Sequence, residues 1–386
     1  MAEDQGDNAV SIVLSGVGSD GSSGLAAVKE SGGLTIAQAE FDHHAMPGMP
    51  QSAAATGLVD YVMQVEEMPA KLIEYRNHLA LVADRKDSEG TRTDAAEHLA
   101  NVLSVLRAKT GHDFSQYKIR TVTRRIQRRM QVLQADNIPA YIKHLREDAV
   151  EPELLFRDML IGVTEFFRDP DAFNGLSVAI GAILNHSPDA QTLRVWAPAC
   201  STGEEVYSLA ITIQELIDSR GSGLVVQIFG TDIDDHAVEF ARAGRYERIS
   251  GISSERLQRW FFEENGAYCP IRQIRAMCVF SVHNVTKDPP FSRLDLISCR
   301  NLMIYMDSDL QDRVLRTFHY ALKPHGLLFS RTIGGCEQAC QALYATGQGR
   351  SPLSTSGRRC AVPSHANTRA DARPKPSCRR RWSRIW

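Results

Sequence analysis

Two short stretches of the sequence have the residue types to receive a small molecule. The first is Ala199-Cys200-Ser201-Thr202-Gly203-Glu204-Glu205, which follows the apolar run Leu193–Ala197 and leads into a helix-forming segment. Small residues at the C-terminal tip of a strand, opening a helix, make the turn where mononucleotide-like ligands settle in doubly wound sheets. The second is Gly230-Thr231-Asp232-Ile233-Asp234, at the end of the next apolar run. A carboxylate at that tip can accept hydrogen bonds from both ribose hydroxyls of an adenosine. A nicotinamide dehydrogenase would use similar geometry, but the turn carries one glycine where the dinucleotide fingerprint needs GxGxxG. Glu204 and Glu205 would also repel a pyrophosphate. Two acids suit a ligand with positive charge, and S-adenosylmethionine has a sulfonium and an α-amino group.

These turns need a parallel sheet to hold them. Leu193–Ala197, Val225–Gly230, Val279–His283, Leu294–Ser298 and Leu327–Ser330 read as strands, with helices over Glu204–Ile217, Asp234–Ala243 and Ser308–Leu322. This is α/β alternation with short connections. A smaller α/β pattern precedes it, with strands near Ser11–Leu14, Leu34–Ala37 and Leu58–Met63 and a closing helix from Glu66. Between the two, spacing becomes helical, with Leu99, Val102, Leu103 and Leu106 and later Tyr141, Ile142 and Leu145 on common faces. The expected layout is an α/β segment over 1–80, a charged linker over 81–94, a helical domain over 95–175, an α/β domain over 176–332 and a basic, disordered tail over 333–386.

One predicted helix concentrates charge. Ile119, Val122, Ile126, Met130 and Leu133 share a face, which leaves Arg124, Arg125, Arg128 and Arg129 on another. Such a surface fits an acidic partner. A nucleic acid is disfavoured because no aromatics interleave with the arginines. Overall net charge is −2, but residues 331–386 hold eleven Lys and Arg against two acids, giving +9 there and −11 before it. The eight cysteines include no CxxC pair, so no metal is expected. No apolar run approaches 18 residues and no leader is evident, so membrane insertion is not expected and a cytoplasmic location is.

Four blocks in order carry a family resemblance. Thr164-Glu165-Phe166-Phe167-Arg168-Asp169, Ala199 to Tyr207, Thr231 to Asp234 and Cys299-Arg300-Asn301-Leu302-Met303-Ile304-Tyr305 resemble the chemotaxis receptor glutamate O-methyltransferases. The resemblance covers about residues 95–330. It implies a class I S-adenosylmethionine-dependent sheet with an N-terminal helical domain and a small antiparallel insertion. By position it implies cofactor contacts from Thr164, Arg168, Glu204, Glu205, Asp232, Asn284, Val285, Arg300 and Asn301, with Thr164 and Arg168 closing over the cofactor, Tyr305 near the transferred methyl, and Arg168 and Tyr305 as the catalytic pair. Gly162 stands where the family commonly has Asn. The partner implied is the acidic cytoplasmic helices of a chemoreceptor, facing Arg124, Arg125, Arg128 and Arg129. The alternative is a receptor-docking or cofactor-sensing module that has lost turnover.

The first 80 residues resemble the C-terminal part of the chemotaxis methylesterase domain, through Leu14-Ser15-Gly16-Val17-Gly18-Ser19-Asp20-Gly21 and Met49-Pro50-Gln51-Ser52-Ala53. Asp20 falls at the third position of a Ser-His-Asp triad. Its serine and histidine belong upstream in that family, and His43 and His44 are misplaced for the role. Methylesterase activity is therefore not expected.

Overall fold

The computed structural model describes residues 2–16, 21–39, 48–55, 58–86, 92–160, 162, 164–186, 191–221, 223–247, 249–331 and 340–344. Asp20, His43 and His44 lie outside them.

The N-terminal unit is a three-stranded parallel sheet, β1 (Val10–Val13), β2 (Leu34–Gln38) and β3 (Tyr61–Met63), in that order. Helices α1 (Ser22–Glu30), α2 (Met49–Ala55) and α3 (Met68–Lys86) accompany it. β2 is central and buried on both faces, which is why Leu34, Ile36 and Ala37 are apolar and the one polar residue among them, Thr35, donates its hydroxyl to the Leu58 carbonyl at 2.7 Å.

Four helices follow: α4 (Arg92–Thr110), α5 (Ile119–Leu133), α6 (Ile138–Glu147) and α7 (Glu151–Met159). Val102, Leu106, Val122, Ile126, Tyr141, Leu145 and Leu155 fill their core. The amide of Ala140 donates to the Asn137 side chain at 2.9 Å, which satisfies an otherwise orphaned N–H at the start of α6.

The second α/β domain opens with α8 (Pro170–His186) and then β4 (Thr192–Pro198), α9 (Glu204–Arg220), β5 (Val225–Asp232) and α10 (Asp235–Ala243). Helix α11 (Ser254–Trp260) leads into an antiparallel pair, β6 (Phe261–Glu264) and β7 (Ala267–Pro270). The chain returns through β8 (Cys278–Val282), β9 (Leu294–Ser298), α12 (Ser308–Ala321), β10 (Leu322–Arg331) and β11 (Cys340–Tyr344). The main sheet has the order β11-β10-β9-β4-β5-β8, parallel except for β11 against β10. Strand order therefore reverses at β4, and a crevice opens above its C-terminal end. Among the described residues no helix is long and apolar enough to cross a membrane.

Two expectations change. Strand β11 places residues 340–344 in the sheet, so the α/β domain runs past the boundary at 332 and covers the edge of β10. The arginines of α5 do not form an open cationic face. Arg124 is exposed, but Arg125, Arg128 and Arg129 are 2%, 2% and 5% exposed. Arg129 grips Glu151 of α7 through two hydrogen bonds, at 3.0 and 2.5 Å, while Arg128 pairs with Asp158 and with Asp60 of the N-terminal unit. Charges this deep require paired partners, and the partners come from distant segments that helical periodicity does not report.

Candidate cofactor site

The crevice above β4 is a cavity roofed by the loop between α4 and α5. Its floor is the turn from Pro198 to Ser201 and the tip of β5. Ala199 and Ser201 adopt φ values of 57° and 48°, uncommon for residues with a Cβ. Strain of this kind persists where surroundings enforce it, here at a ligand-facing turn. Gly203 has φ 95° and begins α9; a Cβ there would lie 2.8 Å from the Cβ of Ala241, so the turn requires glycine.

Asp232 sits at the tip of β5 and is fixed by two backbone donors, the amides of Ser201 at 2.8 Å and Asp234 at 3.1 Å. Burial nevertheless raises its pKa, because removing a carboxylate from water outweighs these bonds. The two acids that open α9 diverge. Glu205 lines the cavity and accepts a hydrogen bond from the Ser298 hydroxyl at 2.5 Å. Glu204 does not line it; it accepts from the Thr202 hydroxyl at 2.7 Å, and burial lifts its carboxyl to about 7.

That position of Glu204 gives a pH prediction. Its folded pKa lies above the ordinary 4.5, so the folded chain holds the proton more tightly than the unfolded chain does. Its contribution to stability is greatest below about 4.5 and is lost as pH rises towards about 7, beyond which it is constant. Glu204→Gln should flatten this part of the stability curve, giving a higher Tm than the parent at pH 8 and little difference at pH 4.5. Equal Tm differences at both pH values would place the carboxyl in water.

Arg300 is the buttress of the site. Its side chain is 0% exposed and lies against the rings of Phe173 and Phe329, each 5.3 Å from the guanidinium carbon. It donates to the Arg168 carbonyl at 2.7 Å and to the Asp169 carboxylate at 2.8 Å, and its Nε lies 4.0 Å from Glu205. Phe167 and Asp169 have positive φ values of 50° and 60°, and Arg300 holds this strained segment against the sheet. The Arg168 side chain is not among the cavity-lining groups; its carbonyl is what Arg300 secures.

The other expected residues do converge. Thr164, Asn284, Val285, Arg300, Asn301 and Tyr305 all line the cavity. The Asn301 side-chain oxygen is buried there without a hydrogen-bond partner, the kind of orphan that a bound polar ligand satisfies. Asn284 is braced by Thr286, which donates to its Oδ1 from the amide at 2.9 Å and the hydroxyl at 2.7 Å.

Sequence reasoning missed the roof. His112, Phe114 and Tyr117 line the cavity from the loop joining α4 to α5. His112 stacks on Phe156 at 4.7 Å, its Nδ1 lies 3.4 Å from the Asn284 amide nitrogen, and burial lowers its pKa. The loop is fastened to the Tyr305 segment, since the Lys118 amide donates to the Tyr305 carbonyl at 2.8 Å and the Asp307 amide to that of Gln116 at 2.9 Å. Two aromatics and a histidine within six residues of a polar loop were the available signal.

Gly162 also lines the cavity, and its carbonyl accepts from the Ser201 hydroxyl at 3.0 Å. A Cβ there would lie 3.4 Å from the Ser201 Oγ, so among the described residues a β-carbon is accommodated. Gly162→Asn should tighten S-adenosylmethionine binding by about 2- to 12-fold, the worth of one net hydrogen bond of about 0.5–1.5 kcal/mol. Calorimetry showing weaker binding would mean that the added side chain obstructs the ligand.

Residues 162–342 match the CheR methyltransferase SAM-binding domain, residues 97–160 the CheR all-alpha domain and residues 1–72 the CheB methylesterase. The chain is 38% identical over 367 residues to an uncharacterized 104.1 kDa protein in the hypE 3′ region of Rhodobacter capsulatus, covering 88% of this chain and 38% of that protein. It is 30% identical over 261 residues to chemotaxis protein methyltransferase 2 of Pseudomonas aeruginosa, covering 65% of this chain and 91% of that protein. It is 32% identical over 246 residues to the chemotaxis protein methyltransferase of Salmonella typhimurium, covering 60% of this chain and 82% of that protein.

Proposed function

Because the chain belongs to the chemotaxis protein methyltransferase family, we propose that it transfers a methyl group from S-adenosylmethionine to glutamate carboxylates on the cytoplasmic helices of chemoreceptors. The observation that carries this reading is Asp232, held by two amides beneath a cavity whose walls include Glu205, Asn301 and Tyr305. Asp232 would hold the ribose, and Glu205 with Asn301 the amino-acid end of the cofactor. When bound, the cofactor supplies an electrophilic methyl group.

The residues need supply little acid–base chemistry. A glutamate side chain has an ordinary pKa of about 4.3 and is already an anionic nucleophile near neutral pH. The protein's task is to hold carboxylate oxygen and methyl carbon in line and to keep water out. The roof of Phe114 and Tyr117 suits that exclusion, and Tyr305 stands beside it on the same cavity wall. Cys200 and Cys299 lie close by, but burial pushes both thiols up, so they stay protonated.

The test is a transfer assay on a receptor cytoplasmic fragment and on the same fragment with its candidate glutamates replaced by glutamine. Label confined to the glutamate form is the expected result; label in both or in neither contradicts the reading.

A further inference from the structure

The arginine face of α5 is occupied by the chain's own N-terminal unit. Asp60, at the entry to β3, reaches Arg128, and its other oxygen lies 3.5 Å from Lys29. The Lys29 carbonyl, in the last turn of α1, accepts from Arg125 at 2.9 Å, and the Gly33 carbonyl accepts from Arg128 at 3.3 Å. Carbonyls at a helix C-terminus carry partial negative charge. The unit therefore offers these arginines two carbonyls and one carboxylate, the latter shared with Lys29, which also reaches Asp158 at 3.2 Å; these are acceptors of the kind that the carboxylates of an acidic helical partner would supply. Around this polar centre Leu34, Ile36, Met68 and Tyr75 pack with Val132, and Gln134 donates to Glu74 at 2.5 Å on the exposed rim.

We propose that the N-terminal unit is a built-in competitor for the arginine face of α5, so that an acidic receptor helix engages that face only when the unit moves away. The proposal rests on the reading that this chain acts on chemoreceptor helices. The exchange is energetically feasible. A buried ion cluster adds little net stability, since desolvation offsets most of its attraction. An incoming acidic helix would replace Asp60 and the Lys29 and Gly33 carbonyls with equivalent acceptors. Arg129 need not change partner, because Glu151, itself fixed by the Tyr141 hydroxyl, holds it from within the helical domain.

The experiment uses the full chain carrying Glu74→Cys and Gln134→Cys, joined by a short bis-methanethiosulfonate linker that reductant cleaves, with the two single variants as controls. The linked chain should bind S-adenosylmethionine like the parent. It should bind an acidic cytoplasmic receptor fragment at least about tenfold more weakly, and reductant should restore that binding. Asp60→Asn, without a linker, should strengthen fragment binding by several-fold. Equal fragment binding before and after reduction would overturn the proposal, as would failure of the linker to bridge the two positions. Fragment binding blocked only in the linked chain, with no methyl transfer in either state, would support the competitor while refuting the transfer reading.

Discussion

Asp232→Asn is expected to weaken S-adenosylmethionine and S-adenosylhomocysteine by about 10- to 100-fold. The Asp232 carboxylate uses one lone pair on each oxygen for the amides of Ser201 and Asp234, leaving the others for a ligand. Asparagine keeps one acceptor and turns an NH2 towards a backbone amide or the ligand. Hydrogen bonds to a charged group are worth about 1.5–3 kcal/mol, and each 1.4 kcal/mol is a factor of ten. The unliganded protein should respond in the opposite sense. Burial raises the Asp232 pKa, so the charged carboxylate costs folding stability, and the amide should hold or raise Tm. Cofactor affinity of the parent should also fall as pH drops through the Asp232 pKa. Calorimetry and thermal melts on the same two proteins check both directions; loss of Tm together with affinity would make Asp232 a structural residue.

Arg300→Ala is expected to cost about 3 kcal/mol of stability and to remove cofactor binding almost completely. The estimate sits at the lower end for breaking a buried ion pair, because the Asp169 side chain is 43% exposed and can turn to water. The larger consequence is geometric. Arg300 ties the Arg168 carbonyl and Asp169 to the sheet, and both Phe167 and Asp169 hold left-handed backbone conformations. Without the guanidinium, the segment keeps the Phe167 amide's bond to the Ser208 hydroxyl but loses its ties at Arg168 and Asp169, and Thr164 at the head of the segment loses its place. Arg300→Lys should recover part of the stability and little of the binding, since an ammonium cannot span the carbonyl and the carboxylate in a planar fork. Urea denaturation and calorimetry measure the two effects; an alanine variant that binds the cofactor normally would show that the segment is placed by other contacts.

The α/β domain was legible because its strands are short apolar runs that end in ligand-facing turns, and β4, β5, β8 and β9 lie within about two residues of the expected limits. The α5 helix shows where such reading stops. Amphipathic spacing placed Ile119 and Leu133 on the buried face, yet they are 69% and 36% exposed, while Arg125 and Arg128 are covered. Neutralising acids at positions 60 and 158 decide that outcome, and periodicity within one helix carries no trace of them. Glu204 and Glu205 are likewise indistinguishable in sequence; adjacent residues on a helix point about 100° apart, so Glu205 meets the cavity and Glu204 turns to the Thr202 hydroxyl. The roof at His112 to Tyr117 escaped because a loop has no period to read.

The most direct measurement of the central claim is methyl transfer itself. The full chain, methyl-labelled S-adenosylmethionine and a receptor cytoplasmic fragment should yield label on glutamate that mild alkali releases as methanol, as a carboxyl ester must. The Asp232→Asn chain should give the same product only at raised cofactor concentration. Cofactor binding without label on the fragment, or label that resists alkali, would contradict the assignment of this chain as a protein-glutamate methyltransferase.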